Sequence, residues 1–123
     1  MQQHALISVV DDDVSSRESL PDLLQALGFS AAAFESAENF LASDALTRTA
    51  CLILDVSMPG MSGPQLQSEL LRRELKIPII FITAHCDQEL RADLIARGAV
   101  ECLFKPFSEQ DLGSALDRAI GAA

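Results

Sequence analysis

Five short apolar runs, separated by segments with helical spacing, constrain the fold of this chain more than any other feature. The runs are rich in residues that favour buried strands, and they occupy residues 5–10, 29–34, 51–55, 77–83 and 100–104. Between the runs, apolar residues recur three and four positions apart, as Leu20, Leu24 and Leu27 do. Strands that alternate with helices predict an α/β fold: a doubly wound, five-stranded parallel sheet with five helices on its two faces.

Local signals set the predicted boundaries of the first helix. Ser15 or Ser16 would cap its start, and Gly28 would follow its last residue. Pro21 lies inside this helix and should bend it, because proline removes one backbone hydrogen bond. Further along the chain, residues 44–49 are predicted to be a polar connection.

Composition excludes several classes of function. A chain of 123 residues fits a single domain, and its net charge of −9, with no basic cluster, predicts no nucleic-acid binding by this chain. No basic leader and no apolar run of roughly 18 residues is present, so neither export nor membrane insertion is expected. The chain has an odd number of cysteines, and they lack the spacing of a zinc site, so a reducing cytoplasm is the simplest location. The cysteines are Cys51, Cys86 and Cys102.

Polar side chains follow four of the five predicted strands. The first strand is followed by Asp11 and Asp12, the third ends at Asp55, the fourth ends at Thr83, and the fifth precedes Lys105. Because the carboxyl ends of parallel strands share one edge of the sheet, these groups should meet there. Converging carboxylates would raise one another's pKa unless a cation lay among them, and Mg²⁺ suits such oxygen ligands.

A metal, an ammonium group and a hydroxyl around one carboxylate suit the transfer of a phosphoryl group. On this reasoning Asp55 would be the nucleophile and would form an acyl phosphate. Two structural roles remain open at this point: Asp55 as a residue that ends a strand, and the acids with Lys105 as a charge network of the fold.

Several segments resemble the receiver domain of two-component response regulators. They are residues 9–13 (VVDDD), 54–63 (LDVSMPGMSG), 81–84 (FITA) and 105–107 (KPF). Two further segments, SAE at 36–38 and GAVE at 98–101, are most similar to FixJ-type regulators. The resemblance covers essentially the whole chain, so it implies one receiver domain over residues 1–123 with a flavodoxin- or CheY-like fold and strand order 2-1-3-4-5.

The resemblance also implies a phosphoacceptor and a metal site. Asp55 would accept a phosphoryl group from a sensor histidine kinase in a reaction that needs Mg²⁺. The ion would be held by Asp12, Asp55 and the main-chain carbonyl of Ser57, with Asp11 acting directly or through water. Such a domain catalyses only its own phosphotransfer and slow dephosphorylation, so it is a regulatory domain and not an enzyme.

The remaining matched positions would handle the phosphoryl group. The Thr83 hydroxyl and the Ala84 amide would contact its oxygens, and Lys105 would bridge them. The bond between Lys105 and Pro106 is expected to be cis, as in the family.

The resemblance implies an output through a surface that changes on phosphorylation. FixJ-type receivers usually precede a DNA-binding domain, so control of transcription through an output domain outside this chain is expected. The surface of the fourth helix, fifth strand and fifth helix would form a homodimer or bind a partner. Cys102 stands where the family usually has an aromatic residue, which predicts a weakened relay from Thr83, with Phe104 as a substitute ring.

Four alternatives are less consistent with the residues. An aspartyl-phosphate hydrolase needs a second acid two positions after the nucleophile, where this chain has Ser57. A nucleotide or flavin binder would have a glycine-rich first turn instead of aspartates. A degenerate receiver that acts only as an interaction module would lack some of the matched acid, Thr or Lys positions. The adjacent pair His85 and Cys86 cannot make a closed metal site alone.

Overall fold

The computed structural model describes residues 5–85 and 87–120, so Cys86 lies outside the described residues. Its strands form one parallel sheet in the order β2-β1-β3-β4-β5, which confirms the predicted fold class and strand order. The strands are β1 (Leu6–Val10), β2 (Ser30–Phe34), β3 (Thr49–Asp55), β4 (Ile79–Thr83) and β5 (Glu101–Phe104).

Five α-helices connect and follow these strands, as predicted. They are α1 (Val14–Ala26), α2 (Ala37–Leu41), α3 (Gly63–Arg72), α4 (Gln88–Ala96) and α5 (Glu109–Ile120). The segment predicted as a polar connection contains a short 3₁₀ helix, Asp44–Thr47, and the start of β3. The reason is packing: Ala45 is buried and Leu46 packs against the core.

The first helix starts earlier than predicted. Its cap is Asp13 and not Ser15 or Ser16, because the Asp13 carboxylate accepts a hydrogen bond from the Ser15 amide at 3.0 Å. A carboxylate there satisfies one of the amides that the first turn leaves without a partner. Gly28 follows the helix with φ +96°, as predicted for the residue after its C-terminus.

Alternate residues along each strand bury into different layers of core. Leu52 and Leu54 of β3 face the layer under α2, α3 and α4, whereas Cys51 and Ile53 face the layer under α1 and α5. Two covered faces explain why the strands read as nearly continuous apolar runs. Among the described helices, none combines the length and the apolar character that crossing a membrane requires.

Candidate functional site

Three aspartates meet at the carboxyl edge of the sheet. One carboxylate oxygen from each of Asp11, Asp12 and Asp55 lies within 4.8 Å of the others. Asp11 is fully buried and Asp55 is 8% exposed, whereas Asp12 is exposed and leaves one side of the cluster open. The convergence expected from the strand ends is therefore present in the structure.

Asp11 is held as an anion by its partners. Its side chain accepts from the Asp13 amide at 2.9 Å and from Lys105 Nζ at 3.0 Å, while its main-chain carbonyl accepts from Arg17 Nη1 at 3.0 Å. Burial disfavours the charged form, but the Asp13 amide and the hydrogen bond and charge of Lys105 outweigh it and lower the Asp11 pKa. Lys105 is thus placed at the acid cluster, as predicted, with Asp11 as its partner.

Asp55 experiences the opposite balance. Burial first, and then the negative charge of Asp11, raise its pKa to about 7, against the opposing effect of Lys105. Near neutral pH the side chain therefore exchanges readily between a neutral acid and a carboxylate.

Thr83 ends β4 beside this cluster, and Ala84 follows it. Thr83 is the residue after Ile82, which pairs with Asp55 in the register of β3 and β4. The Thr83 side chain is buried, and its hydroxyl oxygen accepts from the His85 amide at 3.2 Å, while Ala84 is exposed. The Lys105 amide donates to the Thr83 carbonyl at 2.8 Å, and the bond between Lys105 and Pro106 is cis, as expected.

The loop after Asp55 approaches the strand closely where α3 begins. The Gly63 amide donates to the Val56 carbonyl at 3.0 Å, and a Cβ on Gly63 would lie 2.3 Å from the Asp55 carbonyl oxygen. Only glycine fits this approach. Ser57, whose carbonyl is a predicted metal ligand, is exposed in this loop.

Sequence reasoning missed two residues near the site. Arg17 binds the Asp11 carbonyl, and Glu38 of α2 accepts a hydrogen bond from the Met61 amide at 3.1 Å. Glu38 was visible within the SAE segment, but no local pattern indicated its partner in a distant loop. Arg17 carried no signal beyond its place in the first helix.

The donor set fits a divalent cation. Three carboxylates within mutual reach provide the oxygen ligands that Mg²⁺ prefers. Burial and the charge of Asp11 raise the pKa of Asp55 although Lys105 lies close by, so a further positive charge at the cluster would favour the carboxylate form of Asp55.

A cleft elsewhere has no relation to these residues. It encloses about 380 Å³ at the amino ends of β4 and β5, and its walls are mainly aliphatic, with Leu71, Leu75 and Ile77 among them. None of the predicted site residues lines it.

Comparisons with known proteins agree with this geometry. Residues 7–117 match the family model described as the response regulator receiver domain. Nodulation protein W of Bradyrhizobium diazoefficiens is 44% identical over 118 residues, which cover 96% of this chain and 51% of that protein. The chain spans about half the length of the curated relatives it matches.

Solved structures give the same result. The structure of the response regulator StyR has a TM-score of 0.87 and 42% identity, covering 96% of this chain and 60% of that one. The crystal structure of FixJ-N has a TM-score of 0.86 and 33% identity, and the match covers 99% of this chain and 98% of that one.

Proposed function

This chain belongs to the response regulator receiver domain family, and we propose that it is a phosphorylation-activated switch whose phosphoacceptor is Asp55. Its relatives include two that are named as transcriptional regulatory proteins, TdiR and FixJ. The observation that carries the proposal is the meeting of Asp11, Asp12 and Asp55 with Lys105 at one edge of the sheet.

Each group at the site has a role in the proposed reaction. A Mg²⁺ ion held by Asp11, Asp12, Asp55 and the Ser57 carbonyl would neutralise the negative charge that carboxylates and phosphoryl oxygens bring together. Deprotonated Asp55 attacks phosphorus in line with the leaving group, which in a histidine kinase is an imidazole nitrogen. The bond from phosphorus to that nitrogen breaks, the electron pair leaves with the imidazole, and an acyl phosphate remains on Asp55.

The neighbouring groups stabilise the transferred phosphoryl group. The Thr83 hydroxyl and the Ala84 amide donate to its oxygens, and Lys105 bridges from Asp11 to it. Water later hydrolyses the acyl phosphate slowly, which makes the domain a timed regulator and not a turnover enzyme. The whole chain, residues 1–123, acts as one receiver domain in this proposal.

The proposed partners are a sensor histidine kinase as donor and an output domain as receiver of the signal. The α4, β5 and α5 surface is the proposed site of a homodimer or a partner contact. In support, β5 is tied to both helices through Glu101, which binds Arg91 of α4 and Arg118 of α5. Glu101 begins β5, so a movement of the whole strand would be passed to both helices.

Mass spectrometry after incubation with acetyl phosphate and Mg²⁺ tests the function. The wild-type chain should gain the mass of one phosphoryl group, and Asp55→Asn should not. Asp44→Asn is the matched control, since it removes an acid from the exposed 3₁₀ helix away from the site. No gain in the wild type would favour an interaction module, and persistent labelling of Asp55→Asn at one other residue would refute the assignment.

A further inference from the structure

Glu38 makes a contact that the proposed reaction does not explain. It lies on α2, and its Oε2 accepts a hydrogen bond from the amide of Met61, 23 positions away in the loop between β3 and α3. The helix that carries Glu38 is firmly placed: Ser36 caps it, and Ala37 and Phe40 are fully buried. The backbone that carries Glu38 is therefore held in place, and its carboxylate lies at an exposed surface.

The loop that Glu38 contacts includes a predicted metal ligand. On one side, the Val56 amide donates to the Ile82 carbonyl at 3.1 Å; on the other, the Gly63 amide donates to the Val56 carbonyl at 3.0 Å. Between these points, in the described residues 57–61, the bond from Met61 to Glu38 is the hydrogen bond that reaches another element, and the Met58 and Met61 side chains pack against the core. The position of the Ser57 carbonyl therefore depends on a loop that Glu38 restrains.

Gly60 gives independent support for this restraint. Its φ of +74° is a conformation that favours glycine, and a Cβ there would lie 3.0 Å from Glu38 Oε2. The loop thus approaches the Glu38 carboxylate with two successive residues, Gly60 in contact and Met61 by hydrogen bond. The close approach of both residues to one carboxylate indicates that the loop has a defined conformation beside Glu38.

We propose that Glu38 is a positioning residue for the metal site. By holding the Met61 amide, it fixes the loop and so presents the Ser57 carbonyl towards Asp11, Asp12 and Asp55. This inference rests on the proposed function, since it concerns the Mg²⁺ site of that function. Groups that orient metal ligands commonly change metal affinity by about 10- to 100-fold when removed.

A titration with Mg²⁺ followed by backbone amide chemical shifts tests the proposal without any phosphorylation. Glu38→Ala should weaken Mg²⁺ binding by about tenfold and should shift the amides of residues 57–61 in the metal-free protein. Glu38→Gln should stay close to wild type, because its side-chain oxygen still accepts from Met61.

Glu35→Ala is the matched control for charge. Glu35 is an exposed acid just before α2, and its carboxylate contacts Asn39 and not the loop. Any loss of Mg²⁺ affinity that comes only from a missing negative charge should appear equally in this variant.

The outcomes separate the two proposals. Equal Mg²⁺ affinity in Glu38→Ala and Glu35→Ala would overturn the positioning role and leave the proposed function intact. A wild-type chain that binds no Mg²⁺ and takes no phosphoryl group would refute the proposed function itself. Weak binding in Glu38→Gln as well as Glu38→Ala would show that charge, and not the hydrogen bond, is what matters.

Discussion

Asp11 and Asp55 lie in one acid cluster, yet their pKa values move in opposite directions. Both lose hydration, but Asp11 gains the Asp13 amide and the Lys105 ammonium group as partners. At Asp55 the charge of Lys105 opposes the effect of burial, but the negative charge of Asp11 adds to it, so the pKa rises. The residue proposed as the nucleophile is therefore the one whose ionisation depends most on an added cation.

The raised pKa of Asp55 predicts a pH-dependent stability of the metal-free protein. The folded value of about 7 exceeds the ordinary 3.8, so the folded state binds more protons than the unfolded state between these values. The stability that this group contributes is fully present below pH 4 and is lost as pH rises through 7. At about 1.4 kcal/mol per pKa unit, the loss is on the order of 4 kcal/mol.

Urea denaturation followed by far-ultraviolet circular dichroism, at pH 5 to 8, measures this effect. Asp55→Asn should gain stability relative to wild type as pH rises and then level off above pH 7. The lowered pKa of Asp11 acts in a more acidic range and does not overlap. Parallel stability curves for the two proteins across this range would contradict the raised pKa of Asp55. The affinity of the wild-type protein for Mg²⁺ should increase over the same pH interval.

Gln67 is a second residue whose environment predicts a measurable effect. It is 3% exposed on α3, and among the described residues its Oε1 has no hydrogen-bond partner. A buried polar atom without a partner costs roughly 1–3 kcal/mol. Gln67→Met keeps the length of the side chain and removes this atom, so it should leave stability unchanged or raise it by about 1 kcal/mol.

The midpoint of urea denaturation measures this change. Gln65→Met on the same helix is the contrasting variant, because the Gln65 side chain accepts from the Ser62 amide at 2.8 Å and completes a capping box. It should destabilise the protein. A loss of stability in Gln67→Met comparable with that in Gln65→Met would show that the Gln67 oxygen has a partner in solution.

At the scale of elements, β5 is tied to the helices on both sides of it. Glu101 is largely buried and accepts from the Cys102 amide at 2.9 Å, from Arg91 of α4 at 2.6 Å and from Arg118 of α5 at 3.2 Å. Burial raises its pKa, but these donors outweigh burial and lower it. The contact therefore joins two helices whose surface is proposed to change with phosphorylation.

Removing this carboxylate charge should loosen α4. Glu101→Gln is expected to destabilise the protein by about 1.5–3 kcal/mol, the usual cost of losing hydrogen bonds to a charged group, and to increase hydrogen exchange in α4. Asp93→Asn is the control, since it breaks an exposed pair with Arg97 on the same helix and such pairs contribute little. Similar exchange rates in the two variants would rule out a special role for Glu101.

The effect of Cys102 on the switch stays a prediction. It is buried in the core layer that also contains Leu94 of α4, and Phe104 contacts the same layer, as expected for residues two apart on a strand. Phe104 lies opposite Thr83 in the register of β4 and β5, which strengthens its candidacy as the substitute ring. A thiol changes packing less than a ring when it moves, so the two states differ less in free energy.

Amide chemical shifts with and without beryllofluoride test this relay. Wild type should respond less completely in residues 87–97 and 100–104 than Cys102→Tyr, and Phe104→Leu should respond less than wild type. If tyrosine at position 102 is too large for the core, Phe104→Leu still tests whether the Phe104 ring takes part in the relay. A full, saturating response in Phe104→Leu, equal to that of wild type, would exclude Phe104 from the relay.

At the scale of the whole molecule, net charge opposes self-association. Two copies that each carry −9 repel one another, and salt screens this repulsion over a distance of about 8 Å at 0.15 M. A homodimer through α4, β5 and α5 should therefore form more readily at 0.5 M than at 0.05 M salt. Because phosphorylation is proposed to change this surface, the homodimer should also form more readily with beryllofluoride and Mg²⁺. Light scattering at both salt concentrations measures it; an unchanged mass in all four conditions would contradict the homodimer and leave a partner of another kind.

The sequence by itself determined the elements and the edge of the sheet at which the polar residues meet. Apolar periodicity acts within a few residues, so it is legible without a fold. Parallel strands then bring Asp11, Asp55 and Thr83 to one edge whatever the details of packing. The resemblance to receivers added the strand order and the cis bond before Pro106.

Only the tertiary structure decided which partners these residues take. These are the bond from Lys105 to Asp11, the contact of Glu38 with Met61 and the split between the Asp11 and Asp55 pKa values, which join or compare groups whose environments no local pattern describes. Each depends on distance and on lost hydration, because a buried charge is stabilised or destabilised by whatever lies within a few ångströms of it. Those distances exist only once the chain has folded.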